Sequence, residues 1–155
     1  MDELVADCFV CRKHRDATLM PGGPIAGDDL AVVSHVSPRA PGTTSGLVYL
    51  GHLVVEPRRH APGWADLRDD EAASLGRWCT RASRALITVT GAEFVYSASI
   101  GHRIPHLHVH LLPRYPQTPA DYQWHQVDEW PEGQGTEEQA ASLADRVRHA
   151  ITAKP

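Results

Sequence analysis

Residues 104–115 read IPHLHVHLLPRY, which places His106, His108 and His110 at every second position with Leu107, Val109 and Leu111 between them. A β-strand turns successive side chains to opposite faces, so the three imidazoles share one surface, about 7 Å apart at roughly 3.3 Å per residue. The leucines and valine cover the other surface and enter a hydrophobic layer. A lone strand histidine is ordinarily a structural residue, but three in strict alternation on one covered face would each need a separate partner. Imidazole is partly unprotonated near neutrality, so such a row can attack an electrophile, donate protons to an anion or ligate a metal. The chain has ten histidines, and five of them fall between His60 and His110.

A second group with chemical potential lies near the start, where CFVC gives Cys8 and Cys11 the C-x2-C spacing that lets two thiolates hold one tetrahedral ion. Such a site needs two more ligands, which His60, His102, His106 and others could supply. The alternative is a cysteine pair that binds nothing. A zinc finger is excluded, because the H-x3-H formed by His102 and His106 lies about ninety residues beyond the cysteines. The third cysteine, Cys79, makes an odd count and falls on the apolar stripe of an expected helix, where it reads as a buried structural thiol.

These residues must be positioned by a chain of 155 residues with 42% hydrophobic content, enough for one domain spanning 1–155, with residues 116–155 as a C-terminal extension. Residues 12–29 read as loop and turn. LAVVSHV (30–36) and LVYLGHLVVEP (47–57, broken at Gly51) read as strands that pair antiparallel. From an N-cap at Asp69 or Asp70 the spacing of Ala72, Leu75, Trp78, Cys79, Ala82 and Leu86 predicts one long central helix ending at Gly91. EFVYSAS (93–99) is a further strand before the histidine strand. Thr136 and Gln139 form a capping box for a C-terminal helix through about Ile151. The order β-β-α-β-β-α gives an α+β fold, an antiparallel sheet covered on one face. The segment 116–135, with Trp124 and Trp130, reads as packing, or as a cover for substrate or a second subunit.

The net charge of −4 argues against non-specific nucleic-acid binding. No apolar run is long enough to span a membrane, and MDELVADC lacks the features of a signal peptide, so a cytoplasmic protein is expected.

HLHVHLLPR matches the histidine triad signature, CFVC looks like that family's N-terminal cysteine pair, and GHLVVEPRRH resembles its Gly-His segment. The sequence therefore resembles the histidine triad (HIT) family from Cys8 to Arg114, in the manner of its zinc-containing bacterial members. The resemblance implies a homodimeric nucleotide-binding enzyme that cleaves at an α-phosphorus through a nucleotidyl-histidine. His108 would be the nucleophile, and His110 and His52 would line the phosphate site. Structural zinc would be held by Cys8, Cys11, His60 and His106. Substrate contacts are implied at His102, Arg103, Arg114, His35 and Ser97, although His35 stands where an acidic residue often holds the ribose, and His102 and Arg103 stand where Gln and Ser are common. A dinucleoside polyphosphate, a nucleotide phosphoramidate or a related compound would be the substrate, with water or another acceptor taking the nucleotide. Two other classes remain at this level. One is a non-catalytic nucleotide- or zinc-binding module of the same fold. The other is a metalloenzyme using the histidines as a catalytic site, for which no acidic residue is available between His102 and Arg114.

Overall fold

The computed structural model describes residues 7–152. Strands β1 (Ala26–Gly27), β2 (Ala31–His35), β4 (Leu53–Pro57), β5 (Phe94–Ala98) and β6 (Val109–Arg114) form an antiparallel sheet in the order β1-β2-β4-β6-β5. Between β2 and β4 lies the short strand β3 (Val48–Tyr49), which pairs instead with β7 (Gln134–Gly135). Helices α1 (Phe9–Arg15), α2 (Asp69–Thr90) and α3 (Glu137–Thr152) complete the fold.

Period-two alternation divides the sheet into two surfaces. Ala31, Val33, Leu53, Val55, Leu107, Val109 and Leu111 meet Leu75, Trp78, Ala82 and Leu86 of α2 and Leu143, Ala144 and Val147 of α3 in the main core. Leu53, Leu75 and Leu86 are fully buried, each stabilising the fold by roughly 2–3 kcal/mol of apolar transfer. The opposite surface carries the even-numbered residues Ser34, Val54, Glu56, His108 and His110. At one end it is covered by α1, and at the other by a smaller cluster of Tyr49, Leu112, Val127 and Trp130.

Several boundaries differ from expectation. The expected loop from residue 12 is instead the second half of α1, whose basic last turn (Arg12, Lys13, His14, Arg15) suits the negative end of the helix dipole. The N-cap of α2 is Arg68, not Asp69 or Asp70; its amide is satisfied by the Glu71 carboxylate at 2.8 Å, and the acids occupy the first turn. The helix ends at Gly91 in the left-handed conformation, as expected. The histidine strand is shorter than its alternation implies: ladder pairing begins at Val109, and Leu107 N–H goes to the Ala61 carbonyl at 2.7 Å. The alternation survives beyond the ladder, since Leu107 still enters the core. Cys79 is half-buried at the edge of that core. The capping box at Thr136 and Gln139 is present.

Two polar anchors set the elements against each other. Asp28 accepts from Ser74, Arg77 and the Trp78 indole, tying the β1–β2 turn to α2. Arg59 grips Glu71 through two nitrogens at 2.9 and 2.7 Å, fixing the segment that presents His60. Gly51 has φ +88°, and a Cβ there would lie 2.8 Å from Pro113 and from the Tyr115 hydroxyl. Only glycine permits this turn, which delivers His52 to the sheet. Among the described residues no helix is long and apolar enough to cross a membrane.

Candidate active site and metal centre

The end of the histidine segment nearest α1 is a closed donor set. Cys8 is the N-cap of α1 and Cys11 lies on its first turn, so the C-x2-C spacing turns both sulfurs to one side. His106 Nδ1 is 3.6 Å from Cys8 Sγ and 3.4 Å from Cys11 Sγ, and His60 Nδ1 is 3.4 Å from Cys11 Sγ. All four ligand atoms lie within 4.8 Å of one another. A tetrahedral ion with bonds of about 2.0–2.3 Å requires ligand separations of roughly 3.3–3.8 Å, so the four residues fit such an ion. The Nε2–H of His106 donates to the Pro57 carbonyl at 2.8 Å, which leaves Nδ1 as the free lone pair. Burial holds its pKa down at about 4, against the hydrogen bond to Pro57.

Two residues further on, the setting changes. The Nδ1–H of His108 donates to the His106 carbonyl at 2.7 Å; a carbonyl can only accept, so Nε2 keeps its lone pair. The ring of His110 packs edge-on to that of His108 with centroids 4.8 Å apart. His110 Nδ1 lies 2.8 Å from His52 Nε2, a contact that holds one proton between two imidazoles. Burial, and then the neighbouring imidazoles, lower His110 to about 4 and His52 well below its ordinary value, so this pair is neutral at physiological pH.

His108 and His110 line a cavity of about 320 Å³ whose walls come from α1, the 40–43 loop and the 100–104 loop. Its apolar lining includes Phe9, Val10, Val36, Val54 and Ile104. The floor is polar. Lys13 donates to Glu56 Oε1 at 2.7 Å and to Ser34 Oγ at 3.3 Å, and His14 Nε2 lies 3.0 Å from Glu56 Oε2. Lys13 is 3% and Glu56 2% exposed. Burial alone would raise Glu56, but the Lys13 charge and these hydrogen bonds outweigh it and hold the carboxyl at about 2. Val54 pairs with His110 and Val55 with Val109, so Glu56 falls on the same face as His110 and His108, and both it and His108 line the cavity.

The residues expected to contact substrate separate into two groups. His102 and Arg103 line the cavity on an exposed loop, and the Arg103 guanidinium lies over Gly42 of the opposite rim, 2.9 Å from where a Cβ would stand. His35 does not reach it: the ring is fully buried, donating from Nδ1 to the Val36 carbonyl at 2.9 Å and accepting the Gly51 amide on Nε2 at 3.0 Å. Burial depresses it to about 4, against that carbonyl bond, and its role is to fix the turn that carries His52. Arg114 is likewise engaged elsewhere, clasping the carbonyls of Tyr122 and Pro119 at 2.8 and 3.0 Å. Ser97 is exposed on the edge strand β5, outside the cavity lining. His52 sits behind His110 and faces a second recess with Asp128, Glu129 and Gln134. Through that recess the 116–135 segment approaches the imidazoles; none of its residues lines the first cavity. Sequence reading missed Lys13 and Glu56. The available signal was a charge at position 56 inside the otherwise apolar run LVVEP.

An antiparallel α+β sheet with an imidazole-lined cavity beside a Cys2His2 set defines the class of protein. The family model for the HIT domain matches residues 27–117, more than half of the chain, and the protein belongs to that family. Among curated proteins, the bifunctional bis(5'-adenosyl)-triphosphatase/adenylylsulfatase FHIT of Arabidopsis thaliana is 34% identical over 68 residues, covering 41% of this chain and 38% of that protein. The nitrilase and fragile histidine triad fusion protein NitFhit of Caenorhabditis elegans is 33% identical over 69 residues, 41% of this chain and 16% of that protein. The matched stretch is thus well under half the length of either relative. A zinc-bound histidine triad family protein from Mycobacterium smegmatis superposes with a TM-score of 0.67 at 16% identity, covering 92% of this chain and 94% of that one. A Hit-like protein from Bartonella henselae gives 0.65 at 16% identity, with 96% and 99% covered. At these identities the likeness to solved structures is one of fold.

Proposed function

We propose that this protein is a nucleotide hydrolase or nucleotidyl transferase that works through a nucleotidyl-His108 intermediate, with a dinucleoside polyphosphate as the favoured substrate. The observation that carries this reading is the hydrogen bond from His108 Nδ1–H to the His106 carbonyl, which reserves Nε2 for attack. The Nε2 lone pair attacks the α-phosphorus, and the bond from phosphorus to the leaving group breaks as the P–N bond forms. Water, or another acceptor, then displaces His108 from the phosphorus and restores the imidazole. With His52 Nε2–H as donor to His110 Nδ1 in their 2.8 Å contact, His110 would carry its proton on Nε2 and donate it to a phosphate oxygen as charge accumulates there. His52 acts behind His110, holding its tautomer. His102 and Arg103 at the rim would meet the leaving group.

Cys8, Cys11, His60 and His106 would hold zinc, which when bound supplies a structural cross-link with no open coordination position. His106 then contributes to the reaction through its backbone carbonyl. The Arabidopsis relative, a bis(5'-adenosyl)-triphosphatase and adenylylsulfatase, supports a nucleotide substrate with an anionic leaving group. Among the described residues strand β5 has one unpaired edge, and it exposes Phe94, so a second copy is proposed to pair there as a homodimer. A cytoplasmic location is part of the proposal, since a reducing compartment would keep Cys8 and Cys11 as thiols able to take a metal.

The test is incubation with diadenosine triphosphate followed by mass spectrometry. An adenylyl group on His108, absent from His108→Ala, is the expected result. Tight nucleotide binding with neither adduct nor turnover would instead identify a binding module.

A further inference from the structure

The chemistry assigned to His108 leaves the Lys13–Glu56 pair without a role, although both side chains line the same cavity. Their burial is costly. A buried ion pair is commonly no more stabilising than well-packed apolar residues of similar size, and the neighbouring wall is built from Val10, Val36 and Val54. Stability therefore gives no reason for a lysine and a glutamate here. Hydrogen-bond counting gives one. Lys13 has three N–H donors, of which Glu56 and Ser34 take two. Each oxygen of Glu56 receives one donor, from Lys13 or His14, and keeps further acceptor capacity. The floor thus combines a spare donor with spare acceptors, the complement of a pair of hydroxyls that both donate and accept.

Position supports the match. Among the described residues Glu56 is the only carboxylate lining the cavity, and the β4–β6 register puts it on the face that carries His108 and His110. A group attached to a phosphorus on His108 Nε2 would share the cavity with it. His35 has both ring nitrogens committed to backbone and cannot serve that group. Carboxylates are well suited to binding sugar hydroxyls.

We propose that Lys13 and Glu56 recognise the vicinal hydroxyls of the nucleotide's ribose and make the site selective for ribonucleotides. This rests on the reading of His108 given above.

The test is calorimetric titration of the full chain with AMP and with 2',3'-dideoxy-AMP. The expected result is about tenfold tighter binding of AMP. In Lys13→Met/Glu56→Leu, which removes both charges together, the ratio is expected to fall to about one. Glu56→Gln keeps the side chain's shape and provides the same comparison if the double variant does not fold; there the ratio should drop about threefold or more. Equal binding of the two nucleotides by the wild-type protein, or a ratio that survives the substitutions, overturns the proposal. If equal binding is accompanied by adenylyl-His108, only the sugar assignment falls. If neither nucleotide binds, the nucleotide reading of the cavity falls with it.

Discussion

His106 and His108 are the same residue type, two positions apart on one face of one segment, yet the structure sets them in opposite chemical circumstances. His106 is fully buried, its Nε2–H is tied to Pro57, and its Nδ1 is enclosed by two sulfurs and a second imidazole. His108 has the reverse arrangement: Nδ1–H is tied to backbone, and the ring borders a cavity with no thiol in its lining. The choice of which nitrogen is free, and of what it faces, is made by backbone carbonyls and not by the imidazoles themselves. One segment thereby carries an imidazole enclosed in a Cys2His2 set and another that faces a cavity with Nε2 free, and the carbonyl of the first holds the ring of the second in place.

The largest effect expected from this contrast comes from His108→Ala, which should lower kcat by roughly four orders of magnitude or more, as for loss of other enzymatic nucleophiles. Bound zinc should stay at one per chain, measured by atomic emission. Loss of the metal in this variant would mean that the two ends of the segment are not separable. The converse substitution is Cys11→Ser. It should abolish zinc binding and cost about 4 kcal/mol or more in urea unfolding, because metal affinity is folding free energy. His110→Ala should retain the zinc, whereas the opposite pattern would assign the metal to the cavity.

The contrast was partly legible in the sequence. Period-two alternation identified the histidine face, and the C-x2-C spacing identified two cysteines that the structure brings into one Cys2His2 set. These are local patterns, determined by how side chains project from strand and helix. Which other residues complete the set is a tertiary fact; His60 was one of several candidate histidines, and the resemblance, not spacing, selected it. His35 shows the limit from the other side. The resemblance implied a substrate contact there, but the Val36 carbonyl takes Nδ1–H and the Gly51 amide takes Nε2, so both ring nitrogens are consumed by backbone. Glu56 and Lys13 are 43 residues apart and meet only when α1 docks on β4. A lone charge in an apolar strand is visible, but its partner is not.

His35 also sharpens the comparison, since it is a third kind of histidine, structural and without metal or cavity. Its pKa is about 4 in the fold against 6.5 for the free side chain, so the unfolded chain binds more protons between those values. Its contribution to stability is therefore fully present above pH 6.5 and is lost as pH falls toward 4, amounting to about 3 kcal/mol. Urea titrations across that window, at saturating zinc, should show His35→Asn losing about that much less than the wild-type protein. Equal slopes would mean that His35 titrates normally and is not buried in solution.

The smallest expected effect concerns the far end of the segment, where Arg114 offers a charge that an anionic substrate could use. In the structure that charge serves the chain itself: the guanidinium holds the carbonyls of Pro119 and Tyr122, and so anchors the turn leading into the segment that carries Trp130. Arg114→Ala should then cost about 1–2 kcal/mol of stability, the ordinary loss for two hydrogen bonds from a charged donor in a partly exposed site. Proteolytic cutting between residues 116 and 123 should become faster, because the turn loses its anchor while its backbone remains near the surface. KM for diadenosine triphosphate should change by less than about twofold, since the side chain lies outside the cavity lining. A KM that rises about tenfold with unchanged stability would reverse the assignment. It would place a polyphosphate tail along β6 and extend the open half of the histidine segment to its last residue.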